Sequence, residues 1–360
     1  MHTDPIRGEA RGTAPVPLSV LDLAPVGSGH TAAEALRTTT EVAKLTDRLG
    51  YHRFWVAEHH SMPGIASSAP AVILAHVAAH TERIRLGSGG VMLPNHAPLV
   101  IAEQFGTLEA LAPGRVDLGL GRAPGTDRAT TLALRLTPER LGADDFPEQL
   151  AELTGFLDGS FPDGHPYQRI YAVPGPVQRS VDGGVGVGER FRPPVWLLGS
   201  SDYSARLAAS LGLPFAFAHH FSAANTVPAL QLYRQGFRPS AVLDRPYAMI
   251  AATAVAADTE EAARRAVGSL GLSMLKLRTG RPGLVPSPQE VEDFPYTPAE
   301  RSFVDDWMSN AVYGAPEQVR DQLDGLVKRT GADELMITST VHGHEPRLRS
   351  YELIAEAYGI

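Results

Sequence analysis

Short apolar runs alternate along the chain with longer stretches in which apolar residues return every three or four positions. The apolar runs are Leu18–Leu23, Arg53–Ala57, Ile84–Ser88, Val116–Gly121, Val195–Leu198, Pro214–Ala218, Tyr247–Val255 and Glu334–Ile337. They show little apolar/polar alternation, so both faces of each strand should be covered, as in a parallel sheet wrapped by helices. Eight strands separated by helical patterns predict repeated βα units closing into a (β/α)₈ TIM barrel, an α/β fold with long loop insertions. One helix begins at Thr31, whose spacing to Glu34 makes a capping box. It runs on through Leu36, Thr39, Val42, Ala43, Thr46 and Leu49 on one face and stops at Gly50. Asp258 with Glu261 repeats the capping pattern, and a last helix over Pro346–Tyr358 is expected to close the barrel.

Two regions break the period. Gly159–Pro194 is rich in Gly and Pro, and Leu277–Ala299 contains Pro282, Pro286, Pro288, Pro295 and Pro298. Both are expected to be long loops, which in a barrel serve as lids or partner surfaces. Residues 1–16 mix charges with Gly and Pro and lack the apolar core of a signal peptide, so a flexible tail is expected there, with a single barrel domain over 17–360.

Composition narrows the function classes. The 360 residues are 43% hydrophobic, enough for a large core. With 32 basic and 40 acidic residues the net charge is −8, which argues against a nucleic-acid partner. No apolar run is long enough to span a bilayer, so no membrane partner and a cytoplasmic location are expected. The chain has no cysteine, which excludes disulfides, thiolate metal sites and a thiol nucleophile.

Candidate chemistry follows from position. Active sites of parallel barrels lie at the C-terminal ends of the strands. Here the second strand ends in Glu58-His59-His60, the third runs into Ser88-Gly89-Gly90, and the fourth ends at Gly121-Arg122. The fifth ends in Gly199-Ser200-Ser201, the sixth in His219-His220, and the eighth in Thr338-Ser339-Thr340 with His342 beyond. Six apolar strands thus end in polar or glycine clusters on one rim. Arg122 fits either a surface ion pair or an anion ligand. Ser200, Ser201 and Ser204 fit either a helix cap or a phosphate held by hydroxyls and backbone N–H groups. Gly89-Gly90 fits a bulge or the close approach of a flat ligand. His342-Gly343-His344 and the two His pairs invite a metal reading. The first strand ends Leu21-Asp22-Leu23 without the His-X-His that metal-dependent hydrolase barrels carry there, and no carboxylate set completes a site, so no metal is expected.

Jointly these segments resemble the bacterial luciferase-like flavin monooxygenases, in their single-chain branch. The resemblance is carried by Ala57-Glu58-His59-His60, by residues 84–94 with Gly89-Gly90, and by residues 112–122 ending in Gly121-Arg122. It resumes at Val195–Phe217 and, more weakly, in the last strand and helix. It implies that His59 supports oxygenation, that Gly89-Gly90 forms a non-prolyl cis peptide against which an isoalloxazine stacks, and that Arg122 with Ser200, Ser201 and Ser204 holds the FMN phosphate. His219 and His220 fall beside the ring. It further implies reduced FMN as co-substrate, O₂, oxygenation of a small organic substrate through a flavin peroxide, and a homodimer formed by the helical patterns Ala69–His80 and Pro98–Leu111. No G-x-G-x-x-G follows a strand, so a separate flavin reductase is expected to supply electrons. Gly121 and Ser200 stand where the light-emitting members have a cysteine and an acidic residue, which speaks against light emission. The alternatives are a deazaflavin-dependent hydride-transfer oxidoreductase on the same barrel and a non-catalytic flavin-binding relative.

Overall fold

The computed structural model describes residues 6–122, 128–134, 145–176 and 192–360. Ten strands form one sheet: β1 Leu18–Asp22, β2 Arg53–Val56, β3 Arg85–Ser88, β4 Val91–Met92, β5 Val116–Gly121, β6 Val195–Gly199, β7 Phe215–Ala218, β8 Ala248–Ala256, β9 Val312–Gly314 and β10 Glu334–Thr338. Eight of them run β1-β2-β3-β5-β6-β7-β8-β10, all parallel, and β10 returns to pair with β1. The result is a closed eight-stranded parallel barrel with flanking helices. All eight predicted strands fall on barrel strands to within a residue or two, because runs buried on both faces leave an unbroken apolar signal.

The first helix, Ala32–Leu49, has the expected capping box: Glu34 N donates to the Thr31 hydroxyl and Thr31 N donates to the Glu34 carboxylate at 2.7 Å. Gly50 ends it at φ 92°, a left-handed conformation that glycine adopts without side-chain clash. Leu36, predicted on the packed face, is exposed. In the helix Glu260–Arg278 the cap is Thr259, which accepts from Ala262 N, and not Asp258. The last helix begins at His344, two residues before the expected Pro346.

The barrel floor is polar and buried. Arg53, fully buried, donates from Nη1 to Asp117 at 2.8 Å and from Nε to Glu334 at 2.9 Å. Arg85 donates to Asp117 at 2.6 Å, Tyr247 OH to Glu334 at 2.9 Å, and the Ser19 hydroxyl also to Glu334. Burial acts to raise the Asp117 pKa, but the Arg53 and Arg85 guanidiniums overcome it and hold that carboxyl below its ordinary value. Above this layer Trp55 and Trp196 meet edge to face at 5.2 Å, filling the middle of the barrel.

Of the segment 1–16 that composition suggested as a tail, residues 1–5 lie outside the described residues and residues 6–16 lie against the barrel. Ile6, 1% exposed, packs with Trp55, Trp196 and Tyr247, and its carbonyl accepts from Arg53 Nη2. Gly8 N donates to Tyr247 OH, and Thr13 N to Tyr358 O at 2.8 Å. One apolar side chain and a spare carbonyl close the floor, satisfying a guanidinium donor that would otherwise be buried without an acceptor.

The expected loop Leu277–Ala299 is also corrected. It is interrupted by the helix Pro288–Glu292, and it leads into the helix Pro298–Ser309 and then β9. With Glu260–Arg278 these elements enclose a second apolar core that includes Val267, Leu272, Leu275, Val304 and Met308. Residues 159–176 and 192–194 are irregular, as expected of Gly159–Pro194; residues 177–191 of that segment lie outside the described residues.

Candidate active site

The strand ends that carry the candidate residues meet at one mouth of the barrel. From β2 the chain continues as Ala57-Glu58-His59-His60. Glu58 is buried and accepts from His60 Nε2 at 2.8 Å, His96 Nε2 at 2.9 Å, Asn95 Nδ2 at 3.2 Å and Met92 N at 3.0 Å. An ionised carboxylate only accepts, so both imidazoles turn their Nε2–H toward it. Burial acts to raise the Glu58 pKa, yet the hydrogen bonds from His96, His60 and Met92 hold it below the usual carboxylate value. This one side chain ties the segment carrying His59 to the segment that follows Gly90.

His59 is oriented differently from its neighbour. Its backbone N–H donates to Ser67 O at 2.9 Å, while its Nδ1 is buried with no hydrogen-bond partner among the described residues. Burial lowers its pKa, with Glu58 opposing and His60 assisting, so the ring is neutral at pH 7.

The Gly89-Gly90 peptide is cis, as the resemblance implied. Ser88 Oγ donates to Gly119 O at 2.8 Å and accepts from Gly119 N at 3.0 Å, holding β3 against β5. A Cβ on Gly90 would sit 2.8 Å from Gly119 O, and one on Gly119 would collide with Ser88 O. Backbone therefore lies against backbone here, and both strands need glycine to do so.

Arg122 follows β5 and lays its guanidinium 4.0 Å from the centroid of the Tyr203 ring. Tyr203 sits in the first turn of the ten-residue helix Asp202–Leu211, which follows β6. Ser201 is its N-cap, but the hydroxyl makes no capping hydrogen bond. Ser200 and Ser201 are exposed; Ser204 is buried, with its hydroxyl turned back against Gly199. Asp202, in the same turn, is engaged by Arg206 at 3.6 Å. Arg122 has no carboxylate partner among the described residues. A guanidinium, two free hydroxyls and the open N–H groups of a helix start thus converge from neighbouring strands, which is the donor set a phosphate dianion requires.

His219 and His220 stand in the turn just after β7. His219 Nδ1 lies 2.7 Å from Thr226 Oγ1. His220 Nδ1 lies 2.9 Å from Ala251 O, so it must donate, and neutral Nε2 is left as an acceptor. Burial pushes the His220 pKa down to about 4, and nearby His219 and His59 add to the effect. His342 and His344 are engaged elsewhere, with Ser28 O and the Thr38 hydroxyl. Among the described residues no three His, Asp or Glu side chains converge as a metal site would need. Sequence reasoning missed Tyr203, His96 and the anchoring role of Glu58. Only Glu58 carried a signal, as the acidic member of a strand-end cluster.

The family model described as luciferase-like monooxygenase matches residues 16–334. A luciferase-like monooxygenase of Escherichia coli strain K12 is 46% identical over 94% of this chain and 96% of its own. The N-acetyl-S-alkylcysteine monooxygenase of Bacillus subtilis strain 168 is 36% identical over 94% and 97%. Among solved structures, apo-MsnO8 superposes with a TM-score of 0.82 at 39% identity, covering 96% of this chain and 98% of that one. The oxygenating constituent of 3,6-diketocamphane monooxygenase from Pseudomonas putida, solved with FMN, shares the fold at TM-score 0.68 and 18% identity, over 95% and 97% of the two chains.

Proposed function

Since this chain belongs to the luciferase-like monooxygenase family and is an oxygenating flavin enzyme, we propose that it takes reduced FMN from a separate reductase and oxygenates a small organic substrate in the cytoplasm. Bound reduced FMN would supply the two electrons that divide O₂ between the substrate, which gains one oxygen atom, and water, which takes the other. The observation that carries the cofactor assignment is the donor set at the ends of β5 and β6. There Arg122, held flat by Tyr203, stands beside Ser200, Ser201 and the open start of the helix Asp202–Leu211. Ser204 packs behind them. Gly89 and Gly90 would offer bare backbone to the ring, and His219 and His220 would line its far side. His59, neutral and with a buried Nδ1 lacking a partner among the described residues, is assigned the handling of a proton at the mouth. Glu58 acts as a positioning residue for that segment.

The phosphate assignment has a direct check. Arg122→Ala should weaken FMN binding about 10–150-fold, the worth of a charge-assisted hydrogen bond at about 1.5–3 kcal/mol. Riboflavin, which lacks the phosphate, should bind wild type and variant alike. Calorimetric titration of both flavins makes the comparison; equal loss for FMN and riboflavin would remove the phosphate from this corner.

We further propose a homodimer through the helices Pro70–Ala78 and Pro98–Leu111. They leave Val72 70% and Leu111 64% exposed on the barrel's outer wall, with Val100 nearby in sequence. Such side chains are commonly buried by a partner. Val72→Glu should shift the mass measured by sedimentation from dimer to monomer, whereas a monomeric wild type at micromolar concentration contradicts the assignment. Among the described residues no helix is long and apolar enough to cross a membrane.

A further inference from the structure

Beside the barrel mouth lies a cavity of about 340 Å³, at the lower end of the ~300–1,000 Å³ range of small-molecule sites. Its two ends differ in chemical character. At the base stand His219 and Thr253, both buried, and His220. At the mouth stand Arg278 and Leu277, both exposed. Between them stand Phe303 and Trp307, which pack on the second apolar core, and Met274.

Among the described residues that line this cavity, Arg278 is the only ionic side chain and none carries a carboxylate. Its guanidinium carbon lies 4.5 Å from the centroid of the Phe303 ring. It makes no ion pair among the described residues. A guanidinium stacked on a ring keeps its N–H groups directed outward in its own plane, the geometry that grips a carboxylate with two parallel hydrogen bonds. The base presents the opposite character. His220 donates its Nδ1–H to Ala251 O, so its Nε2 carries a lone pair, and burial keeps the ring neutral. A lone pair repels a carboxylate and a guanidinium attracts one, so an anion in this cavity is favoured with its charge at the Arg278 end.

We propose that this cavity is the substrate pocket and that it takes a small organic carboxylate. The carboxylate binds Arg278 at the mouth, the apolar body lies along Phe303, Trp307 and Met274, and the oxidisable part points toward His220. Only the last clause rests on the monooxygenase assignment above; the selection of an anion with an apolar body does not. Cationic substrates are excluded, since they would meet Arg278 with no carboxylate to offset it.

Trp307 reports occupancy without flavin or turnover, because Trp55 and Trp196, the other two tryptophans, are fully buried inside the barrel. The probes are 3-(benzylthio)propanoate, its primary amide and the matching amine, titrated into the whole flavin-free protein while tryptophan emission is followed. The acid should bind about ten-fold to a hundred-fold more tightly than the amide, and the amine should bind least. Arg278→Met should abolish the preference for the acid over the amide, and Arg278→Lys should restore part of it. Trp307→Phe should remove the emission change. Equal affinity for acid and amide in the wild type overturns the proposal. So does an acid preference that survives Arg278→Met, or the lack of any saturable response to the acid. The acid is then incubated with reduced FMN and O₂, and its sulfoxide is sought. Arg278-dependent preference without sulfoxide leaves the pocket assignment standing and counts against the oxygenation assignment. Sulfoxide formed without Arg278-dependent preference does the reverse.

Discussion

Replacing Arg53 by methionine is expected to destabilise the fold by about 3–5 kcal/mol, the scale for removing one partner of a buried ion pair. The methionine nearly fills the volume, so the loss is electrostatic. Glu334 keeps the hydroxyls of Ser19 and Tyr247 but loses its counter-charge, and Asp117 retains Arg85 and the Trp55 indole N–H. The Ile6 carbonyl loses its donor as well, so the N-terminal segment should loosen. Urea unfolding monitored by circular dichroism measures the change. Adding Glu334→Gln should recover part of it, since a neutral amide tolerates burial better than an unpaired carboxylate. The pH dependence has a definite sign. Asp117 is held below its ordinary value in the wild type. Its contribution is therefore complete above the unfolded carboxyl pKa and is lost as pH falls through the lower folded value. A variant as stable as the wild type would mean that the floor does not need its cation.

His59→Ala should slow oxygenation by about 10²-fold or more, the lower range for a positioned proton-transfer group. FMN affinity should change little, because the proposed phosphate corner lies on β5 and β6 while His59 follows β2. His60→Ala should behave differently: it strips one of the hydrogen bonds that Glu58 accepts and acts through the position of the loop. Stopped-flow mixing of the reduced, FMN-loaded enzyme with oxygen and substrate separates the two variants. Because burial lowers the His59 pKa, the wild-type rate should persist to lower pH than an ordinary histidine would allow, and be lost as the ring takes up a proton. A His59→Ala enzyme that oxygenates at the wild-type rate would make this histidine structural.

The barrel was legible in the sequence because its strands are buried on both faces and end in glycine or polar clusters. The active-site rim followed from the parallel direction alone. The floor was not legible. Arg53 pairs with residues 64 and 281 positions away, and nothing local distinguishes such a charge from a strand-end polar residue. The helices Pro288–Glu292 and Pro298–Ser309 were missed for another reason. Their prolines suggest loops, yet Pro288 and Pro298 both sit at the first helical position, where a missing N–H costs nothing. Each is preceded by a capping residue, Ser287 with Glu290 and Thr297 with Glu300, so the pattern was present and was outweighed by proline count. His59, Gly89-Gly90 and Arg122 were legible only as a set. The contact between Arg122 and Tyr203 depends on how a helix start meets the neighbouring strand end, and spacing does not encode that.

β8 is nine residues long and outruns the barrel, and its last three residues pair with β9. The segment between these two strands leaves at Ala257 and returns at Gly314, and the two are joined by a hydrogen bond from Ala257 N to Gly314 O. An excursion whose two ends meet on one strand extension, and which supplies most of an apolar core, can be exchanged provided that its contacts to residues 26–28 through Val285 and Glu290 are kept. Natural variation could therefore retune substrate choice by trading this cassette, while the proposed cofactor corner on β5 and β6 is inherited intact. A chimera carrying residues 257–314 from a family member of different substrate preference should keep its flavin affinity and adopt the donor's preference.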